Sequence, residues 1–187
     1  MEISRYEVRD RTAVLEVLRL GLRDQECYAA LIAPPENDGF FEREWREHEV
    51  GLAQEPENWW VVHDESRITG ILWMRYPTDI LGPYATVREI DVHPEYRNKG
   101  IGTLLLKYAE ELSRSTDAVM LLISALITNP AVRLYRRLGF PDFPDHYKND
   151  KNPNHVVLWK PFRNDLIEET TSEQSAGGDA VNRAPQP

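Results

Sequence analysis

The chain has 187 residues, enough for one domain that buries about two thirds of the surface its unfolded form exposes. Its formal net charge is -9 and no block of Lys and Arg offsets the acids, which argues against a general nucleic-acid-binding protein. Cys27 is the only cysteine, so an internal disulfide and a cysteine-rich metal site are excluded.

The N-terminal third predicts one strand and two helices. Ile3 to Val8 has a strand pattern, and Arg11 to Leu22 carries a broad apolar face at helical spacing. A stretch rich in Pro and polar residues, 33–39, separates this helix from a second one at Phe40 to Leu52. The region around the second helix is acidic, and a solvated helix face is favoured over an attractor for a cationic substrate. Its acidic residues are Glu36, Asp38, Glu42, Glu44, Glu47 and Glu49.

A β-hairpin follows. Trp59 to His63 and Arg67 to Tyr76 are rich in β-forming residues and are joined by Asp64, Glu65 and Ser66, which suit a turn. The tryptophans of this hairpin, Trp59, Trp60 and Trp73, are expected to pack in the core rather than to stack on nucleic-acid bases.

The most informative stretch runs from Val87 to Thr103 and reads VREIDVHPEYRNKGIGT. Val87 to Val92 alternates as a strand, His93 and Pro94 end it, and Arg97 to Gly102 forms a basic loop with two glycines that opens a helix. Glycines let backbone N–H groups of the loop and of the first helical turn approach an anion, and the helix dipole adds attraction. The stretch therefore predicts a phosphate-binding site.

The next elements complete a strand, helix, strand unit. Val119 to Ile127 is almost continuously apolar, as expected of a strand covered on both faces. The crossover rule makes the unit right-handed, with its two strands parallel. Asn129 is then placed as the N-cap of a short helix with Pro130 at its first position, and Gly139 is placed to end it.

The C-terminal region divides into a last β pair and a tail. Asp145 to Phe162 contains the pair, with a turn at 149–154 and its second strand at His155 to Lys160. From Asn164 to Pro187 the chain loses apolar periodicity, which predicts a disordered acidic tail after a single domain over residues 1–163.

Two features bear on cellular location. The N-terminal MEISRYEVRDRT carries charges where a secretory signal needs an apolar run, and no window is apolar enough to cross a membrane. The single cysteine suits a reducing compartment. We therefore expect a cytoplasmic protein with neither membrane nor nucleic acid as partner.

Two motifs point to one family. The loop is not a dinucleotide fingerprint, since Leu105 stands where a third glycine is needed, and it lacks the Gly-Lys-Ser/Thr of an NTPase loop. It resembles motif A of the GNAT N-acetyltransferase family, and a second stretch, Asn129 to Phe140, resembles motif B. The matching residues are Val92, Pro94, Arg97, Gly100 and Gly102 in motif A, and Leu134, Tyr135, Leu138, Gly139 and Phe140 in motif B.

The resemblance implies an α/β (α+β) acyl-CoA N-acyltransferase fold, with a mixed central sheet of about six to seven strands flanked by helices on both faces. It also implies transfer of an acetyl group from acetyl-CoA to a primary amine by direct attack, without a metal. The acceptor, a small-molecule amine or an amine of a protein or peptide, stays open, and family members often form homodimers. The alternative is a non-catalytic acyl-CoA-binding regulatory module.

The same resemblance assigns the coenzyme contacts. The pyrophosphate would be held by the loop, and the pantetheine arm would pair with main chain of the central strand. These residues are Arg97, Asn98, Lys99, Gly100, Ile101, Gly102 and Thr103 for the loop, and Ile90, Asp91 and Val92 for the strand. The family asparagine falls at Thr128 in this chain, so Asn129, one residue later, is either a coenzyme contact or only a helix cap.

Candidate catalytic residues follow from the strand period and from motif B. Glu89, Asp91 and His93 fall on one side of the central strand, and burial would raise the pKa of a carboxylate there towards the range of a general base. Glu89 is the first candidate for the base and Asp91 the second; the alternative is a carboxylate paired with a nearby Arg. Tyr135 corresponds to the family tyrosine that protonates the leaving thiolate, although a helical Tyr between leucines is also a common core residue.

We expect no catalytic or metal site at the cysteine or at the histidines. Cys27 lacks a histidine partner at a recognisable spacing, and its thiol is expected to be buried and inert. The histidines show no H-x-x-x-H pairing, so no metal site is expected. They are His48, His63, His93, His146 and His155.

Overall fold

A computed structural model describes residues 1–31, 39–65, 67–80, 82–144, 153–163 and 166. In this part of the chain six strands form a mixed sheet in the order β1-β2-β3-β6-β7-β8, and a separate two-stranded pair joins β4 to β5. All neighbours in the large sheet are antiparallel except β6 and β7, which are parallel. The strands are β1 (Glu2–Arg5), β2 (Trp59–Asp64), β3 (Arg67–Arg75), β4 (Thr78–Asp79), β5 (Gly82–Pro83), β6 (Ala85–Val92), β7 (Met120–Leu126) and β8 (His155–Pro161).

Helices cover both faces of the sheet, as the predicted fold class requires. The α-helices are α1 (Arg11–Ala30), α2 (Phe40–Gln54), α3 (Ile101–Arg114) and α4 (Val132–Arg137). Alternate residues of β2 and β3 point to opposite faces, because the side-chain period of a strand is two. Trp59 and Trp73 join Leu18 of α1 in one apolar cluster, whereas Trp60 joins Leu105 of α3 in the other. The expected mixed α/β architecture is confirmed.

The tryptophans of the β2–β3 hairpin are core residues, as predicted. Trp59, Trp60 and Trp73 expose 0%, 3% and 0% of their surface. The rings of Trp59 and Trp73 stack with centroids 4.7 Å apart. Aromatic stacking of this kind adds to the hydrophobic contribution of the buried area, so the hairpin anchors the face on which α1 and α2 pack.

Several element bounds differ from the prediction. The first strand ends at Arg5 instead of Val8, because the Asp10 carboxylate accepts a hydrogen bond from the Glu7 N–H at 2.9 Å and a 3-10 turn begins at Val8. Helix α1 continues to Ala30 rather than stopping at Leu22. Its apolar stripe fades after Leu22, but residues 23–30 contain no helix breaker.

Helix α4 also differs at its start. It begins at Val132, two residues later than the predicted first position at Pro130. The Asn129 side chain accepts a hydrogen bond from Ala131 N–H at 2.9 Å, so it caps a turn before the helix rather than the helix itself. Gly139 follows the helix with φ of 82°, a left-handed conformation that ends it as predicted.

The C-terminal elements are described in part. β8 pairs with β7 along its whole length, from Met120 opposite Pro161 to Leu126 opposite His155. The predicted first strand of the last β pair begins at 145, and residues 145–152 lie outside the described residues. So does the predicted tail, apart from Leu166, which is buried in a cluster with Phe143 and Trp159. In the described ranges no helix combines the length and the apolar composition needed to cross a membrane.

The parallel pair β6–β7 is short. It runs from Ala85 opposite Leu121 to Val87 opposite Ile123 and then stops, although β6 continues to Val92. On its other side β6 stays paired with β3, with a register shift at which Trp73 pairs with Glu89 and Met74 with Val87, so that Arg88 is the extra residue. Past Val87, β6 therefore has one edge that no strand of the described residues covers.

Two glycines bring α1 and α2 unusually close to the sheet. A Cβ built on Gly51 of α2 would lie 2.5 Å from the Trp73 ring, and one on Gly21 of α1 would lie 1.9 Å from Asp91 Oδ2. Because real Cβ atoms do not approach so closely, these helix positions must lack a side chain. The approach places the two helices directly against the carboxylate-bearing half of β6.

This close approach predicts the effect of Gly51→Ala. Helix propensity alone would make the change stabilising by about 0.5–1 kcal/mol. We instead expect a loss of about 1–3 kcal/mol in the free energy of unfolding, because the new methyl group must displace α2 from Trp73. Ala53→Gly, at an exposed position of the same helix, reports the propensity effect alone. Urea unfolding of both variants makes the comparison, and a stabilised Gly51→Ala protein would contradict the packing.

Candidate active site

A cleft of about 820 Å³ opens where β6 and β7 separate. Its walls come from the second half of β6, the start of α3, the end of β7 and α4 on one side, and from α1 and α2 on the other. Of the predicted coenzyme contacts, all except Lys99 line it, as do Glu89 and Tyr135. The structure thus brings the two sequence motifs to one cavity.

The glycine loop forms one end of the cleft. Gly100 has φ of 85° and is the N-cap of α3, and the preceding Asn98 also has a positive φ of 61°. A Cβ on Gly102 would lie 3.2 Å from the Leu134 side chain of α4, so its absence keeps the start of α3 close to α4. The N–H groups of a first helical turn have no acceptor within the helix, which suits this end of the cleft to an anion.

The two basic residues of the loop are engaged elsewhere. Arg97 forms an ion pair with Asp24 of α1 at 2.5 Å, and its Nε donates to the Val92 carbonyl at 3.1 Å. The Lys99 ammonium lies 4.5 Å from the centre of the Tyr96 ring and does not line the cleft. Main-chain amides rather than these side chains are therefore the principal anion donors that the loop presents.

Glu89 has three hydrogen-bond partners. Its Oε1 accepts from Gln25 Nε2 at 3.1 Å and from Ile90 N–H at 3.2 Å, and its Oε2 lies 2.7 Å from His48 Nε2. Only 8% of the residue is exposed. The alternative stated from the sequence is a carboxylate paired with a nearby arginine. The nearest arginine in the chain, Arg88, forms its ion pairs with Glu47 and Glu44 of α2 instead.

Asp91 has a contrasting environment on the same face of β6. Its Oδ2 atom is buried without a hydrogen-bond partner in the described structure and lies against Gly21 of α1. Burial raises the pKa of Asp91 well above its ordinary value, the nearby charges of Glu89 and Asp24 add to the rise, and Arg97 opposes it. The Asp91 carboxyl therefore favours its protonated form.

Tyr135 lies on α4 and lines the same cleft. Only 5% of it is exposed. Burial raises the pKa of its phenol, and the charges of Glu89 and Asp91 raise it further. The phenol consequently keeps its proton at neutral pH and is available as a donor.

Other predictions about side chains fare differently. His93 follows β6 but does not line the cleft; its Nε2 lies 3.1 Å from Arg67 and its Nδ1 accepts from Glu95 N–H. Cys27 is exposed, so the predicted buried thiol is wrong. Its position lies off the buried stripe of α1, in the part of the helix that the sequence pattern did not reveal. The prediction that β7 is covered on both faces fails at Ser124, which is exposed at the cleft.

Sequence reasoning missed the cleft residues contributed by α1 and α2. Asp24, Gln25 and Tyr28 lie on one face of the last two turns of α1, beyond the predicted end at Leu22. Tyr28 lies four residues after Asp24 and three after Gln25, so it neighbours both on the helix surface once the helix is extended. This spacing is the signal that the sequence offers for these residues. Thr128, which occupies the place of the family asparagine, donates a hydrogen bond to Tyr28 O at 3.1 Å. Asn129 lines the cleft.

The sequence pattern of the Acetyltransferase (GNAT) family matches residues 23–140, which contain both motifs and the whole cleft-forming unit from β6 to α4. The chain belongs to the GNAT acetyltransferase family. The resemblance stated from motifs A and B is thereby confirmed.

Individual relatives are more distant. A stretch of 56 residues is 39% identical to the streptothricin acetyltransferase of Streptomyces lavendulae, covering 29% of this chain and 30% of that protein. Another of 103 residues is 26% identical to a putative ribosomal protein bS18-alanine N-acetyltransferase of Bacillus subtilis, covering 54% and 56%. The chain thus spans between about a third and somewhat over half of the length of these relatives.

Among solved structures, the PaiA N-acetyltransferase of Thermoplasma acidophilum in complex with coenzyme A superposes with a TM-score of 0.64 at 18% identity. The match covers 86% of this chain and 98% of that one. At this level of identity the similarity establishes the GNAT fold and not the substrate.

The environment of Asp91 predicts how its charge affects stability. A carboxyl whose pKa is raised by folding binds its proton more tightly in the folded state, so its contribution is greatest below its ordinary pKa of 3.8 and is lost as the pH rises. Asp91→Asn should therefore stabilise the protein at pH 7 to 8, and the gain should vanish near pH 4. Urea unfolding across this range measures it. The exposed Asp117→Asn serves as control and should show no such pH-dependent gain; a destabilised Asp91→Asn protein at pH 8 would show that the carboxylate is favourably paired.

Proposed function

We propose that the protein is an N-acetyltransferase that transfers the acetyl group of acetyl-CoA to a primary amine by direct attack. One observation carries the proposal: a single cleft is lined by the glycine loop, the unpaired half of β6, Glu89 and Tyr135. Family membership supports the reaction class. The geometry supports the assignment of roles that follows.

The residues of the cleft fit coenzyme A. First-turn amides of α3 and the loop at Gly100 would hold the pyrophosphate, and the missing Cβ of Gly102 keeps that end open against Leu134. The edge of β6 from Ile90 to Val92 has no strand partner on this side among the described residues, and the pantetheine arm would pair with it in the manner of an added strand. That pairing would replace the contacts of the Ile90 N–H with Glu89 Oε1 and of the Val92 carbonyl with Arg97 Nε. Asn129 lines the same wall, but its side-chain oxygen is used by Ala131.

The acceptor amine must reach the thioester as a free base. Its ammonium form has no lone pair, so one proton has to leave before or during attack. We assign this proton to Glu89, whose carboxylate lines the cleft and is oriented there by contacts with Gln25, His48 and the Ile90 N–H. Asp91 is the weaker candidate, because its carboxyl is covered by Gly21 and favours its own proton.

The proposed reaction forms a C–N bond and breaks a C–S bond. The amine nitrogen attacks the thioester carbonyl carbon, a C–N bond forms, and the C–S bond breaks to release the thiolate of coenzyme A. The Tyr135 phenol is assigned as the group that gives a proton to this thiolate, since its raised pKa keeps it protonated until then. The attacking nitrogen gives up its second proton as the neutral amide forms, and that proton restores the phenol. Glu89 and Tyr135 both line the cleft, Glu89 from β6 and Tyr135 from α4.

The activity is tested with a panel of amines. Purified protein is mixed with acetyl-CoA and, in separate reactions, a polyamine, an aminoglycoside, free amino acids and short peptides with a free N-terminus, and free thiol is read. We expect amine-dependent thiol release with at least one class, and a loss of about 10²- to 10⁴-fold in kcat for Glu89→Gln. Glu57→Gln, at an exposed position, is the matched control. Tight binding of acetyl-CoA without thiol release in any reaction would favour the non-catalytic module.

The acid role of Tyr135 makes a separate prediction. Tyr135→Phe removes only the phenolic O–H, so kcat should fall by about 10²- to 10³-fold while calorimetric affinity for acetyl-CoA stays unchanged. Tyr108→Phe supplies the control, because Tyr108 packs on Trp60 away from the cleft. Equal turnover of the two variants would remove Tyr135 from the mechanism and leave it as a packing residue.

A further inference from the structure

His48 occupies a position that the proposed chemistry has not yet used. It lies on α2, is 0% exposed, and stands behind Glu89 rather than among the residues that line the cleft. Its Nε2 is 2.7 Å from Glu89 Oε2, the shortest of the three polar contacts to that carboxylate. The two residues are 41 positions apart in the chain, so only the packing of α2 on the sheet brings them together.

The surroundings of the imidazole fix the direction of this hydrogen bond. An ionised carboxylate offers only acceptors, so the contact requires a proton on Nε2. The other ring nitrogen, Nδ1, is buried without a partner in the described structure. The ring packs against Trp59 at 6.3 Å and Trp73 at 5.9 Å between centroids, and indoles carry a donor but no acceptor. The site therefore accommodates a proton on Nε2 and offers none of the acceptors that a second proton on Nδ1 would need.

The imidazole is also held rigidly. Trp73 stacks on Trp59 and donates from its Nε1 to Glu55 Oε2 at 3.3 Å, which ties the indole to the end of α2. One turn after His48, Gly51 lets α2 lie so close to Trp73 that a Cβ at this position would be 2.5 Å from the ring. The position of Nε2 is thus set by the packing of α2 rather than by a mobile side chain.

We infer that His48 is a positioning residue that orients the Glu89 carboxylate for taking the proton of the acceptor amine. This inference rests on the proposed function, in which Glu89 is that proton acceptor. Gln25 holds the other oxygen, Oε1, so the carboxylate is fixed at both ends while one edge faces the cleft. A donor to the charged form favours that form, so loss of the His48 N–H makes protonation of Glu89 easier.

Other charged groups lie around Glu89 and also affect its charge, so the test variants must leave these groups unchanged. Arg88 forms ion pairs with Glu47 and Glu44 and also interacts with the charge of Glu89, and Arg97 forms an ion pair with Asp24. The charged and titratable groups that face it are Asp24 on α1, Glu44 and Glu47 on α2, Arg88 and Asp91 on β6, Tyr135 on α4, and Arg97 in the loop.

A matched pair of variants tests the role. His48→Met and His48→Gln have similar length and volume, but only Gln can donate a hydrogen bond to Glu89 Oε2. With acetyl-CoA and the amine class that the panel identifies, His48→Met should move the acidic limb of the kcat/KM profile to higher pH by about one to two units, the worth of one hydrogen bond to a charged group. His48→Gln should return the limb most of the way. Affinity for acetyl-CoA should be the same in both. In a Glu89→Gln background His48→Met should cause no further shift.

An unmoved acidic limb in folded His48→Met, with Glu89→Gln still impaired, overturns the positioning role and leaves the proposed function standing. If the wild type turns over no amine in the panel, the proposed function is overturned, and with it any catalytic role of the contact between His48 and Glu89. Nitrogen-15 NMR of the wild-type histidines and carbon-13 titration of the Glu89 carboxyl test the contact itself without turnover or a variant. A proton on Nδ1 rather than Nε2 of His48 would overturn the inference even if His48→Met failed to fold.

Discussion

The site depends on the separation of two parallel strands. β6 and β7 are paired over three residues, Ala85 to Val87 opposite Leu121 to Ile123, and β6 then continues alone on that side to Val92. Main-chain N–H and C=O groups that would pair with β7 are left facing a cavity. An exposed strand edge is normally a liability, and a protein keeps one when a ligand uses it. The glycine loop follows this strand directly, so the edge and the anion site are joined by chain connectivity.

The opposite wall depends on how closely two helices approach the sheet. Gly21 and Gly51 remove the side chains that would keep α1 and α2 away from Asp91 and Trp73. The approach buries two carboxyl groups that lie two residues apart on one strand face, and their charges repel. The two carboxyl groups differ in their contacts: Glu89 has a polar partner on each helix, whereas Asp91 Oδ2 has none among the described residues and burial raises the Asp91 pKa. A carboxyl with several polar partners thus stands beside one that favours its own proton.

The sequence predicted the local part of this arrangement and missed the non-local part. The glycine loop, the alternation of β6 and the Tyr135 helix are each determined within about a dozen residues, and they lie where the patterns placed them, apart from the later start of α4. The cleft residues of α1 escaped prediction because helix continuation past Leu22 leaves no apolar periodicity to detect. The contact of His48 with Glu89 escaped for a different reason: it spans 41 residues and depends on the angle at which α2 crosses the sheet. The exposed Cys27 shows the same limit, because a residue's burial follows from helix length and packing together.

The two walls also differ in how they constrain the sequence. In the proposed function the wall of β6 and α3, the coenzyme wall, would hold coenzyme A through main-chain amides and missing side chains, which places few demands on most side chains there. The wall of α1 and α2, the acceptor wall, would meet the amine through side chains such as Gln25 and Glu44, so a substitution there would change the shape and charge that the amine meets. A family that shares one coenzyme and serves acceptors as different as those named for its relatives needs this division. In this chain Glu89 stands on the boundary, since its backbone belongs to the coenzyme strand and its carboxylate is held by the acceptor helices. Fixing that carboxylate from behind, through a residue the substrate does not touch, lets the acceptor wall vary while the proton acceptor keeps its place.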